Sequence, residues 1–460
     1  MTTSTRRRVV VGGGLGGLAA AHFLARADPA AEVLVLEASS RAGGKLRIES
    51  VAGVGVDVGA EAMLNRRPEG VELARALGLD IVHPAIAQSQ IWTRGVLRPL
   101  PRTLMGVPLD IDGLAASGVL SPEGLAAACR ASAVPDLELD GDGSVGDLVA
   151  ARFGDEVVDR LVEPLLGGVY AGHARAISAR AAVPALIPML TGRGGAPTGA
   201  PTYDAPVFAG IPGGMGLLPE TLVHAGGFEV RCHTTVETIR PRAGGGFTLS
   251  WSSGSSGADT VGADHVVLAT PAEPTARLLA ELLPEVAADL AGVESASVVV
   301  VTFAFRAEDL PDLPGSGFLV PPIEGRQIKA STFSFNKWAW VRDSGKGAGP
   351  AGEDLAFLRT SLGRHGEVDV LERSDAELVA VSRAELAEAV GIVVEPVDTH
   401  VQRWPDGLPQ YAVGHLDLVG RVRAGVAEVP GLAVCGATYD GVGIPAVIAS
   451  GRAVTGVLCG

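Results

Sequence analysis

The chain has 460 residues, 47% of them hydrophobic and 19% charged, with a formal net charge of −15. That content builds a large core and argues against wholesale disorder, while the acidic excess and the 4% aromatic content argue against a nucleic-acid binder. Glycine (62) and proline (30) supply a fifth of the residues without a G-X-Y period, which favours a turn-rich α/β enzyme over a fibre or a helical bundle.

Arg8-Val9-Val10-Val11 is a short β-branched run and predicts a strand. Leu18 to Ala27, rich in Ala and Leu, predicts a helix that stops at Asp28-Pro29. Val33-Leu34-Val35-Leu36 predicts the continuous apolar strand of a parallel sheet, and Val71 to Leu77 a short helix ended by Gly78. Between about 110 and 190, helical spacing recurs in Leu125-Ala126-Ala127, in Val145 to Phe153 and in Val157 to Leu166, predicting a helical insert. A Gly- and Pro-rich hinge follows over Thr191 to Pro206. Strands are predicted at Phe228 to Arg231, at Phe247 to Trp251 with a Gly-Ser tip over Ser252 to Gly257, at His265 to Thr270 and at Val298 to Phe305. Ser344 to Gly352 reads as a mobile surface loop, Leu432 to Gly436 as a strand and Ala446 to Leu458 as a closing helix. Dinucleotide-type elements at both ends of the chain predict a discontinuous cofactor domain.

The four cysteines (Cys129, Cys232, Cys435, Cys459) lie far apart with neither disulfide-framework nor zinc spacing, which fits a reducing, cytoplasmic location. No stretch reaches 18 consecutive apolar residues, so no transmembrane helix is expected, and the glycines after Arg6-Arg7-Arg8 interrupt an export signal.

Gly12-Gly13-Gly14-Leu15-Gly16-Gly17 satisfies G-x-G-x-x-G between a strand and a helix. Gly12 permits the tight turn, Gly14 lets backbone approach a pyrophosphate on the helix N-terminus, and Gly17 permits close helix packing. Glu37 follows Gly17 at the spacing of a carboxylate that accepts from ribose hydroxyls. Arg41-Ala42-Gly43-Gly44-Lys45 adds a second glycine pair, and Gly436 to Pro445 adds glycines that would admit backbone to an isoalloxazine edge.

These motifs together resemble the amine-oxidase-like FAD superfamily. Within it, Gly436 to Ser450 (GATYDGVGIPAVIAS) is similar to the C-terminal signature of the FAD-dependent porphyrinogen oxidases of haem biosynthesis. Similar too, in the same order, are Asp57 to Leu64, Leu97 to Pro101, Arg152 to Val158, Glu163 to Gly172 and Trp404 to His415 (WPDGLPQYAVGH). The resemblance implies an α/β fold: a discontinuous Rossmann-type FAD domain (1–85, 206–275, 426–460), a mixed-sheet substrate domain (86–109, 276–425) and an α-helical insert (110–205). It implies FAD contacts at Gly12, Gly13, Gly14, Leu15, Gly16, Gly17, Glu37, Ala38, Arg41, Gly44 and Lys45. It extends them to Gly59, Ala60, Glu61, Ala62, Val236 and Trp404, and to Ala437, Val442, Gly443 and Ile444. Lys45 and Ala60-Glu61-Ala62 depart from the commoner wording of the family.

The implied reaction is the six-electron oxidation of coproporphyrinogen III to coproporphyrin III. Hydride leaves a meso carbon for the flavin, a pyrrole nitrogen loses a proton, and dioxygen is reduced to hydrogen peroxide. No protein nucleophile and no metal is required. Protoporphyrinogen IX is the alternative substrate; the lysine-poor chain, without a membrane span, favours the first. Two further readings are another amine-oxidase-like flavoenzyme and a non-catalytic flavin or porphyrin carrier. Arg94, Arg98 and Arg102 are the candidate anchors for substrate propionates, with Arg175 or Arg180 beyond them, since guanidinium pairs with carboxylate in a planar fork. Met105 and Met189 read as core, and His415 as a structural histidine bonding backbone. Expected partners are the porphyrinogen, dioxygen and a transient contact with the next haem-pathway enzyme, with peripheral membrane contact left open and no nucleic acid.

Overall fold

The computed structural model describes residues 6–131, 134, 139, 141–191, 205–252 and 258–459. The hinge expected over Thr191 to Pro206 and the tip over Ser252 to Gly257 fall mostly outside these residues.

A strand at Arg7–Val11, a helix at Leu15–Ala27 and a strand at Glu32–Leu36 open the chain. Both strands are buried along nearly their whole length, as a parallel sheet covered on both faces requires. The sheet has five parallel strands in the spatial order Glu229–Arg231, Glu32–Leu36, Arg7–Val11, His265–Leu268 and Leu432–Val434. The strand at Glu229–Arg231 therefore pairs with the N-terminal unit rather than with the β-rich stretch that follows it.

One face of this sheet carries the helix Leu15–Ala27, against which the C-terminal helix Ile444–Cys459 packs. Their approach is close because a Cβ at Gly451 would lie 2.6 Å from the Gly16 carbonyl oxygen. The other face carries an antiparallel meander, Val236–Pro241, Phe247–Ser252 and Ala258–Ala263, whose Phe247, Leu249 and Trp251 join the buried core.

A second sheet of seven strands has the order Asp398–Pro409, Ser295–Arg306, Leu355–Leu362, Ile328–Thr332, Gly317–Leu319, Gln90–Thr93 and Val96–Pro99. All its pairings are antiparallel except Gly317–Leu319 with Gln90–Thr93. The helix Asp375–Val390 packs its Leu378 and Leu386 onto one face of this sheet. The described residues between 111 and 190 form short helices around an apolar core that includes Val149, Val158, Leu161 and Leu166. Met63–Leu64 and Phe208–Ala209 pair as a two-stranded ribbon.

Ser344 to Gly352, expected as a loop, is a set of turns closed on itself. Gly349 N–H donates to the Glu353 carbonyl at 2.9 Å and Gly347 N–H to Asp354 Oδ1 at 2.8 Å. No helix among the described residues is long and apolar enough to cross a membrane.

Candidate flavin and substrate site

The glycine-rich turn leaves the first strand with Gly12 at φ +102°, a conformation L side chains avoid. Its N–H donates to the Leu36 carbonyl at 2.8 Å, locking the turn onto the second strand. A Cβ at Gly17 would meet the Gly12 carbonyl oxygen at 1.9 Å, so only glycine lets helix and turn approach this closely. Gly14 differs: a Cβ there would meet no protein atom within 4 Å. It stands at the N-cap of Leu15–Ala27, a helix start with no side-chain cap. Uncapped N–H groups behind an open glycine form the cradle that a pyrophosphate fills.

Glu37 closes one side of this cradle. Its carboxylate accepts from Gly13 N–H at 2.6 Å and from Ser39 N–H at 2.8 Å, a fixed geometry that leaves lone pairs for a ribose. Thr234 N–H donates to the Glu37 carbonyl at 2.8 Å, bringing Val236 alongside. The second glycine pair docks on the first, with Gly43 N–H on the Gly13 carbonyl at 2.8 Å. Arg41 stitches this loop through the carbonyls of Ala42 (3.0 Å) and Gly44 (2.8 Å). Ala38, just past Glu37, is exposed, whereas Leu15 is buried.

Farther along the site, Lys45, Gly59, Ala60 and Trp404 meet. Ala60 N–H donates to the Lys45 carbonyl at 3.1 Å, and Trp404 Nε1–H to the Val58 carbonyl at 3.3 Å. A Cβ at Gly59 would lie 2.0 Å from the Lys45 carbonyl oxygen. Lys45 is an exposed residue, yet desolvation by the groups around it lowers its pKa.

The loop from Gly436 to Gly443 is braced from behind by the segment that follows Trp404. Tyr411 Oη–H donates to the Ala437 carbonyl and accepts from Gly441 N–H at 2.8 Å. His415 stacks on Tyr411 with ring centroids 4.1 Å apart, and its Nε2–H donates to the Thr438 carbonyl at 2.8 Å. Burial lowers the His415 pKa, so the ring is neutral near pH 7. Val442, Gly443 and Ile444 then lead into the closing helix.

Glu61 is buried with its carboxylate 2.6 Å from Lys337 Nζ, 3.1 Å from Ser334 Oγ and 3.3 Å from Arg359 Nη2. Burial alone would raise its pKa; the charges of Arg359 and Lys337 outweigh that and take it to about 2. Arg359 also donates to the Gly59 carbonyl at 2.6 Å, tying the seven-stranded sheet to the Gly59–Ala62 segment. Ala62 packs with Trp338 and Phe357. Asp57, nearby, has only backbone donors, Met215 N–H at 2.8 Å and Gly216 N–H at 3.3 Å, and burial pushes it up to about 7.

Next to the Glu61–Lys337 pair opens a cleft of about 90 Å³, lined by Ser89, Phe208, Ser316, Leu319, Ser331, Thr332 and Lys337 among others. None of Arg94, Arg98 and Arg102 is among the lining residues. Arg94 donates to the Leu120 carbonyl at 2.6 Å, and Arg98 packs against Gly118 with its Nε buried and unpartnered, so both guanidinium groups face the helical region. Arg102 lies just after the strand Val96–Pro99, its carbonyl accepting from Leu109 N–H at 3.0 Å. Arg175 pairs with Asp155 at 2.8 Å and is spoken for.

Residues 15–458 match the profile of the flavin-containing amine oxidoreductases. The chain belongs to that family. FAD is its cofactor, and the uncapped glycine cradle with Glu37 beside it fits the pyrophosphate and ribose of that group. Among relatives of this flavin-containing amine oxidoreductase, the coproporphyrinogen III oxidase of Mycobacterium tuberculosis (strain ATCC 25618 / H37Rv) is 37% identical, over 98% of this chain and 97% of its own. That of Bacillus subtilis (strain 168) is 29% identical over 98% of each chain. A crystal structure from Exiguobacterium sp. 255-15, provisionally named protoporphyrinogen oxidase, superposes with a TM-score of 0.85 at 31% identity, covering 98% of both chains.

Proposed function

We propose that this flavin oxidoreductase oxidises coproporphyrinogen III to coproporphyrin III at the expense of dioxygen. The observation that carries the reading is the similarity to coproporphyrinogen III oxidases along nearly the whole chain. Bound FAD supplies a two-electron acceptor that dioxygen reoxidises, so three rounds remove six hydrogens and release three molecules of hydrogen peroxide. The chain's own contribution is to bind, orient and shield. Phe208, Phe318 and Leu319 give the cleft apolar walls for a macrocycle, and its four hydroxyls (Ser89, Ser316, Ser331, Thr332) can accept from pyrrole N–H groups. Exposed Leu64, paired with Phe208 on the ribbon, extends the apolar wall outward.

The test is anaerobic stopped-flow with each porphyrinogen, followed by admission of oxygen. Rapid loss of the flavin absorption band with coproporphyrinogen III, then porphyrin fluorescence on oxygenation, is the expected result. Faster bleaching by protoporphyrinogen IX would move the chain to the second reading, which the name of the Exiguobacterium protein favours. Bleaching by neither substrate would refute the oxidase.

A further inference from the structure

Lys337 is the single charged side chain among the described residues that line the cleft. It ends the short helix Ser334–Lys337, which places its ammonium between Glu61 and the cleft wall. One N–H reaches Glu61 Oε1 at 2.6 Å. The ring centroids of Phe208 and Trp338 lie 5.5 and 5.4 Å from Nζ, within cation–π range. A lysine ammonium carries three donors, so two have no oxygen acceptor among the described residues.

The local charge does not cancel. Lys337 and Arg359 are both cationic, whereas Glu61 is the one carboxylate among the described residues ion-paired to them. Asp57, the other buried acid of this cluster, is largely protonated below about pH 7. One positive charge is thus left at the cleft wall of a chain whose overall charge, −15, repels anions.

We propose that Lys337 receives a carboxylate of the substrate, making it the propionate anchor of the cleft in place of Arg94, Arg98 and Arg102. This rests on the proposed function, since a coproporphyrinogen carries four propionates. The Glu61–Arg359 pair then has a positioning role: it holds the ammonium at the wall while leaving donors for the ligand.

The test measures binding of coproporphyrin III and of its tetramethyl ester to the FAD-loaded enzyme by fluorescence quenching. The readout is the preference for the acid over the ester. Lys337→Met should reduce that preference by about tenfold, the loss of one charge-assisted hydrogen bond. Lys337→Arg, which keeps the charge, should largely restore it. Because Lys337→Met leaves Glu61 with one cation fewer, the double variant E61Q/K337M, with both charges removed, should show the same loss. An unchanged preference in both variants overturns the assignment of Lys337, as does equal weakening of acid and ester. A parent enzyme that binds neither porphyrin overturns the proposed function itself, so the two failures are told apart.

Discussion

Two glycines three residues apart have opposite reasons for being glycine, and the difference is measurable. Gly17 is fixed by the fold, because a methyl group there would collide with the Gly12 carbonyl. Gly14 has no such reason in the fold, since a methyl group there would meet no protein atom, and the space is what the proposed pyrophosphate contact needs. Gly14→Ala should therefore leave the melting temperature of the flavin-free chain unchanged while FAD affinity falls at least about tenfold, read by flavin fluorescence on titration. Gly17→Ala should lower the yield of folded protein with or without FAD. The sequence pattern already assigns the two glycines different roles, and the coordinates add the measure of each: a 1.9 Å collision at Gly17 and open space at Gly14. Lys337 shows the converse. Its partner Glu61 is 276 positions away, so no local spacing could have singled it out. The planar fork that guanidinium offers a carboxylate points instead to Arg94, Arg98 and Arg102, and the first two direct their guanidinium groups at backbone carbonyls and Gly118 of the helical region.

At the level of elements, the segment Gln410–His415 acts as a strut between two parts of the molecule. Gln410 Nε2–H donates to the Tyr170 carbonyl at 2.8 Å, and the Tyr411 carbonyl accepts from Ser178 N–H at 2.7 Å, so one side grips the helical region. Tyr411 Oη and His415 grip the Gly436 to Gly443 loop from the other side. Tyr411→Phe removes a hydroxyl that both donates and accepts in a buried place, at a cost of about 1–3 kcal/mol. The expected outcome is a lower melting temperature together with a measurable shift in the flavin reduction potential, while Gly14-dependent ribose and pyrophosphate binding persists. A drop in melting temperature with an unmoved potential would show that the loop does not touch the flavin ring.

The strand–glycine–helix opening was legible because period, glycine spacing and a continuous apolar run agree locally. The helix Asp375–Val390 was not singled out, although Ser374 and Glu377 form a full capping box and Gly391 ends it at φ +73°. Its sequence, DAELVAVSRAELAEAV, buries Ser382 and Glu385 beside Leu378 and Leu386, which blurs the apolar stripe. The Glu385 carboxylate is used: it accepts from the N–H groups of Gln327 and Ile328, both at 2.9 Å. The strand Gly317–Leu319 is illegible in the sequence because it is only three residues long and one of its two partners, Gln90–Thr93, lies far earlier in the chain.

Taken whole, the molecule contains a buried cation away from the flavin cradle, Lys329, that makes stability respond to pH. Its ammonium donates to the Gly363 carbonyl at 2.8 Å, and burial lowers its pKa to about 7, with Arg364 adding to the effect. Between about pH 7 and its ordinary value near 10.5, the unfolded chain holds one more proton than the folded one, so stability rises with pH across that window. Lys329→Met should flatten that rise: the change in melting temperature between pH 7 and pH 10 shrinks by a few degrees relative to the parent. An identical pH profile in the variant would place the charge elsewhere.

The order of strands in the parallel sheet has a consequence for how the protein is made. The first strand, Arg7–Val11, ends up flanked on one side by His265–Leu268, and that strand in turn by Leu432–Val434. At ribosomal speeds of about 5–20 residues per second, roughly 20–80 s separate synthesis of the first strand from that of the last. Throughout that interval the nascent chain carries an apolar sheet edge whose final neighbour does not yet exist. The enzyme is thus a natural client for holdase chaperones during translation. A ribosome stalled before residue 432 should present a chain that is captured by such chaperones and cleaved by added protease, whereas the released full-length chain resists both.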